Sequence, residues 1–214
     1  MTYRMQLFEF CKQKGLALME QANDFIKNDM IQQYQNKPCS RVEYGANSRY
    51  MPRGYYCPSI ALDTVITNAK RGKLLKRLTQ RSKPTHCFHF DESGKLIMVE
   101  TKAPFPETTE YIIYEQDRIL GFSINAHNTI TGLSEEIYEQ GVLKNYFFAA
   151  LTYTGKSVDN AFYELYDYKA DELNTIDHFH LPYYAESFIK KTGFEKLIWQ
   201  RQLHRTEDGS FVIV

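Results

Sequence analysis

Beyond about residue 84 the sequence breaks into short apolar or aromatic runs separated by turn residues. This pattern constrains the fold more than any other feature. The runs fall at 85–90, 95–101, 110–115, 118–124, 129–138, 142–152, 160–167, 172–180, 194–204 and 210–214. Most are rich in Tyr, Phe, Ile, Val and Thr, whose branched or flat side chains suit a pleated surface. Between them ESG (92–94), EQG (139–141) and EDG (207–209) supply a Gly where a short hairpin must close with positive φ. A long antiparallel β-meander is predicted, as an open sheet or a partial barrel. Within this half, 183–191 (YYAESFIKK) is the segment expected to form a connector turn or short helix.

The first 83 residues follow a different period. Met5, Phe8, Cys11, Leu18, Ala22 and Phe25 recur at helical spacing and predict a helix over 4–30, with Gly15 weakening its middle without ending it. Residues 36–58 contain three prolines and two glycines and read as irregular. A second helix is predicted over 59–70, with Ser59 as N-cap and Gly72 as its stop. The fold class is α+β: an N-terminal helical portion with a basic loop, 1–83, packed on a sheet portion, 84–214, as one cooperative domain.

Composition narrows the setting. A hydrophobic fraction of 43% and a charged fraction of 24% are those of a soluble globular chain. Cys11, Cys39, Cys57 and Cys87 form no C-x-x-C pair, and 214 residues need no disulfide framework. No signal-peptide h-region and no apolar run of about 18 residues is present, so a cytoplasmic protein away from membranes is expected.

The formal net charge is zero, yet the charges are segregated. Residues 41–90 carry ten basic and two acidic side chains, whereas 91–187 carry six basic and seventeen acidic. Lys70, Arg71, Lys73, Lys76, Arg77, Arg81 and Lys83 lie in a stretch without an acid, preceded by Arg41, Arg49 and Arg53 interleaved with Tyr44, Tyr50, Tyr55 and Tyr56. Cations beside stacking rings suit RNA or single strands, with Arg71, Lys73, Arg77 and Arg81 as the contact candidates. In the acidic half, Glu107, Glu110, Glu115, Asp117, Glu135, Glu136 and Glu139 fall in or beside neighbouring hairpins. On a shared face they would steer a basic protein by long-range attraction.

An aromatic followed by an acid recurs at Phe90-Asp91, Tyr114-Glu115, Tyr138-Glu139 and Tyr166-Asp167, in steps of about one hairpin cycle. The stretch from Phe90 to Leu96, FDESGKL, resembles the Tyr-Asp-x-x-Gly-x-Leu core of YD-type repeats of bacterial polymorphic toxins. The stretch from Tyr138 to Tyr146, YEQGVLKNY, resembles the Tyr-x-x-Gly-x-Leu core of MORN-like hairpin repeats. Tyr114 and Tyr166 lack the following Gly. The resemblance implies an immunity or antitoxin-like bacterial protein that blocks a basic toxin domain, and it carries over no catalytic residue. Partner-binding candidates are then Glu110, Glu115, Asp117, Glu135, Glu136, Glu139, Tyr114 and Tyr138.

Chemistry has less support. No G-x-S-x-G elbow, phosphate-binding Gly loop or catalytic cysteine signature occurs. His86 and His89 should point to opposite faces of a strand, whereas His178 and His180 share a face at a spacing two metal ligands could use, without a nearby third. No metal and no cofactor is expected. The reading is a non-enzymatic protein-binding protein, with a nucleic-acid module using 41–83 as the alternative. A hydrolase built from dispersed carboxylates and histidines comes third.

Overall fold

The computed structural model describes residues 3–49, 51–66, 68–102, 106–152, 154–155, 158–182 and 199–214. Three α-helices are present among them: α1 (Tyr3–Lys27), α2 (Met30–Gln35) and α3 (Leu62–Val65), with a 3-10 turn at Gly54–Tyr56. The strands are β1 (Arg41–Ala46), β2 (Lys73–Leu74), β3 (His86–Phe90), β4 (Leu96–Thr101), β5 (Thr108–Tyr114) and β6 (Arg118–Asn125). They continue with β7 (Ile130–Glu139), β8 (Val142–Leu151), β9 (Val158–Lys169), β10 (Glu172–Pro182), β11 (Trp199–Arg205) and β12 (Phe211–Ile213).

All twelve strands join one antiparallel sheet in the order β12 through β3 and then β1 and β2, with no pairing between its ends. The architecture is thus α+β with an open meander. The predicted strand runs coincide with β3 to β10 to within two residues, while 183–191 and the start of 194–204 lie outside the described residues. Three features of the first 83 residues differ from expectation. The stretch expected to be irregular contains β1, the helix expected over 59–70 is the single turn α3, and β1 and β2 extend the sheet across the 83/84 boundary. The N-cap of α3 is Ala61, without a side-chain capping bond, and not Ser59, although the Ser59 Oγ accepts the Leu62 amide at 3.0 Å. Each edge strand is very short, which limits the unpaired backbone open to other chains.

Turn chemistry accounts for the registers. Gln140 and Gly141 both have positive φ between the paired Glu139 and Val142, the two-residue loop whose twist matches that of its strands. Ala170 and Asp171 do the same between Lys169 and Glu172, so this hairpin closes without a Gly.

Both faces of the sheet are covered. On one, Leu7, Phe8, Cys11, Leu18, Ala22 and Phe25 of α1 pack into a core with Tyr111, Phe122, Leu133, Phe147 and Tyr163. Gly15 permits the close approach, because a Cβ there would stand 3.2 Å from Val158. On the other face Met51, Cys57, Leu62 and Ala69 pack with Phe162, and Ala61 and Val65 with Tyr146, Tyr166, Ile176 and Leu203. Covering this second face places polar groups inside.

Two of those groups make stability depend on pH. Burial pushes His86 down to about 4, and burial together with His178 does the same to His180. Both rings are neutral in the folded chain at pH 7, while the unfolded chain binds their protons near pH 6.5. Stability is therefore full above pH 6.5 and falls as pH drops from there to about 4. Urea midpoints should be lower at pH 5 than at pH 7.5, and His86→Phe should shrink the difference. Equal midpoints in the wild type would contradict this assignment.

Candidate functional site

The acidic residues named above do not share one face. Glu110 and Glu136 point toward 51–66, Glu135 points toward α1, and all three are buried, with 7%, 3% and 5% exposure. Arg53 enters between the first two. Its Nε donates to Glu110 Oε1 at 2.8 Å, its Nη1 to Glu136, and its Nη2 to Ser134 Oγ at 2.8 Å. Ser134 donates on to Glu110 at 3.1 Å and Tyr138 donates to Glu136 at 2.7 Å. Burial alone would push the Arg53 guanidinium down, but the carboxylates of Glu110 and Glu136 outweigh it and hold it well above its usual value. Space for the guanidinium comes from Gly121, where a Cβ would lie 2.0 Å from Glu110 Oε1 and 2.7 Å from Arg53 Nη2. Glu135 pairs with Lys14 of α1 and with Arg118 at 3.2 Å. These carboxylates are internal, and a partner cannot reach them without opening the fold.

Further along the same face as Arg53 lies a second polar cluster. Glu164 of β9 accepts from Ser59 at 2.7 Å and from Tyr166, and its Oε1 lies 2.7 Å from His178 Nδ1. Ser59, Glu164 and His178 are each 0% exposed. The residue types are those of hydrolytic triads, but the Ser59 hydroxyl donates to a carboxylate and is fully buried. The cluster ties the 57–62 segment to the sheet.

Eight exposed acids lie at one end of the sheet, whereas Glu107 and Asp159 are exposed at the opposite end. In a meander every second turn falls at the same end, so the turns after β3, β5, β7, β9 and β11 line up there. They carry Glu92, Glu115, Asp117, Glu139, Asp171, Glu172, Glu207 and Asp208, all exposed. Glu115 pairs with Arg118 and Glu172 with Arg205. At their centre Asp117, Glu139 and Asp171, from three successive turns, line a shallow depression with Tyr138, Tyr168 and Lys144. Successive turns stand roughly 9–10 Å apart, close to one Debye length at physiological salt, so their charges act together on an approaching ion. Tyr114 stands nearby and donates to Leu96 O at 3.1 Å. Of the eight partner-binding candidates, Glu115, Asp117, Glu139 and Tyr138 thus lie at this edge.

The basic segment also divides. Arg53 is internal, and Arg71 holds its own neighbourhood together through Asp63 at 3.0 Å and the carbonyls of Cys57 and Ser59. Lys73, Lys76, Arg77, Arg81 and Lys83 are exposed beside the edge strand β2 and pair with no carboxylate among the described residues.

His86 and His89 lie on opposite faces of β3, and His178 and His180 share a face of β10. Among the described residues, a three-donor group with metal-ligand reach occurs elsewhere, at Cys87, His89 and Glu100. No helix among the described residues is long and apolar enough to cross a membrane. The sequence significantly matches no protein-family model, no curated protein and no solved structure.

Proposed function

We propose that this chain is a non-enzymatic binding protein that captures a basic protein, such as a toxin domain, on the acidic edge formed by its hairpin turns. The observation behind this reading is the alignment of Asp117, Glu139 and Asp171 around the half-buried rings of Tyr138 and Tyr168. Exposed carboxylates give long-range attraction, and flat amphipathic rings give contact area at low entropic cost. An immunity or antitoxin-like role fits a surface of this kind, since its work is to occlude a cationic cleft. The reactive residue types Ser59, Glu164 and His178 are sealed in the core.

The test uses a basic protein captured by the immobilised full chain. Replacing Asp117, Glu139 and Asp171 together by Lys should slow its association at least about tenfold at low salt and flatten the salt dependence, with the circular dichroism spectrum unchanged. Unchanged association kinetics would refute the acidic edge. The second reading, nucleic-acid binding, draws on the unpaired cations around 73–83. It predicts a salt-dependent shift of labelled RNA that Arg77→Glu and Arg81→Glu abolish.

A further inference from the structure

Cys87 and His89 are two apart on β3 and so project from the same face, and Glu100 of β4 stands directly opposite Cys87 in the hairpin register. The side chains converge. His89 Nε2 lies 3.4 Å from Cys87 Sγ and 3.5 Å from Glu100 Oε1, and the three ligand atoms all fall within 4.8 Å of one another. Zinc bonds of about 2.3 Å to sulfur and 2.0–2.1 Å to nitrogen and oxygen, at tetrahedral angles, require ligand-to-ligand edges of about 3.3–3.6 Å. The two observed edges have that length.

We propose that Cys87, His89 and Glu100 form a binding site for a borderline divalent transition-metal ion, zinc in the first place. One thiolate, one imidazole and one carboxylate suit zinc better than magnesium or calcium, which favour oxygen donors throughout. The surroundings are those of a supported site. Lys102 Nζ holds the other carboxylate oxygen of Glu100 at 3.0 Å, which leaves Oε1 directed at His89. Cys39 Sγ sits 3.8 Å from His89 Nδ1, so the ring can donate there while Nε2 faces the metal. On coordination the Cys87 thiol releases its proton to solvent, and three protein ligands leave a fourth position to water or to an anionic group. Glu100 also lines a polar cleft bounded by Gln35, Lys102, Thr109 and Asn125, which gives the ion a route from solvent. The site lies on the β3–β4 hairpin, apart from the turns that carry Asp117, Glu139 and Asp171, and does not depend on them.

The test uses the full chain, stripped with a chelator and titrated with zinc and with cobalt. One zinc per chain should be retained through dialysis. Cobalt should give a thiolate-to-metal charge-transfer band together with the intense visible bands of tetrahedral coordination. Cys87→Ser should remove the charge-transfer band, and His89→Gln should weaken binding more than about 100-fold. Cys39→Ser should keep the band while weakening binding about 10–100-fold, as loss of an outer partner does. Circular dichroism confirms that each variant is folded. Should Cys87→Ser or His89→Gln misfold, Glu100→Gln, on the most exposed of the three ligands, should keep the band and lower the affinity. Zinc should raise the melting temperature of the wild type and not of His89→Gln. Failure to retain zinc, an octahedral cobalt spectrum, or a charge-transfer band lost in Cys39→Ser but kept in Cys87→Ser would each overturn the site.

Discussion

Replacing Arg53 by Met should destabilise the chain by about 3–5 kcal/mol, the range for removing one partner from a buried ion pair. For a chain of this size that corresponds to a fall in melting temperature of roughly 6–20 °C. The loss does not measure the attraction of the ion pairs, because two carboxylates brought out of water face each other once the guanidinium is gone. Glu110 and Glu136 then lie buried without their cation, and Ser134 loses one donor. Converting the whole group to apolar residues should reverse most of the effect. The triple variant Arg53→Met, Glu110→Met, Glu136→Leu should therefore be more stable than the single one. The measurement is the urea midpoint at unchanged slope. A single variant within about 1 kcal/mol of wild type would mean that the carboxylates find solvent or another partner.

The strand half of the fold was legible because its signals are local. Alternating rings and branched residues mark the strands, and pairs such as Gln140-Gly141 mark the turns. β1 escaped because its six residues, RVEYGA, combine charge with a Gly and lie between prolines. Its place in the sheet depends on packing, since Gly45 lies under the Phe88 ring, where a Cβ would come within 2.9 Å. The short α3 has a similar origin. The 59–70 segment has the apolar spacing of a helix, but its residues are drawn onto a broad sheet face, and Arg71 fixes the chain at the Cys57 and Ser59 carbonyls.

The candidate site was legible in its residue types and illegible in its pairing. Glu135 and Glu136 are adjacent in one strand, so they must point to opposite faces. Once both faces are covered, at least one of them needs a buried cation. That inference was open to sequence, but the identities of the cations were not, since Lys14 and Arg53 come from 121 and 83 residues away. The group at Cys87 and His89 is a nearer miss. Their spacing of two places them on one face, and the hairpin closed by Asp91–Gly94 brings 100 opposite 87. Sequence spacing displays the histidine pairs at 86 and 89 and at 178 and 180, whereas the mixed donor set is completed only by the register that pairs Cys87 with Glu100.

Replacing Glu164 by Leu should cost about 3–5 kcal/mol, comparable with the loss of Arg53 but by a different mechanism. Leu fills much of the volume, so cavity formation is minor and the effect comes from polar partners. Ser59 and Tyr166 donate to this carboxylate and His178 Nδ1 contacts it, with Ser59 and His178 fully buried. Each buried group that loses its partner costs about 1–3 kcal/mol. The costs fall short of full addition, because the three share one acceptor and relax together. Ser59→Ala alone should cost about 1 kcal/mol, since it removes a donor to Glu164 along with the hydroxyl that accepts the Leu62 amide. Combined with Glu164→Leu it should add less than that, because the hydroxyl left without an acceptor is then gone. Full additivity in this double-mutant cycle would show that Ser59 and Glu164 act independently, and that the 57–62 segment is held on the sheet by apolar packing rather than by this carboxylate.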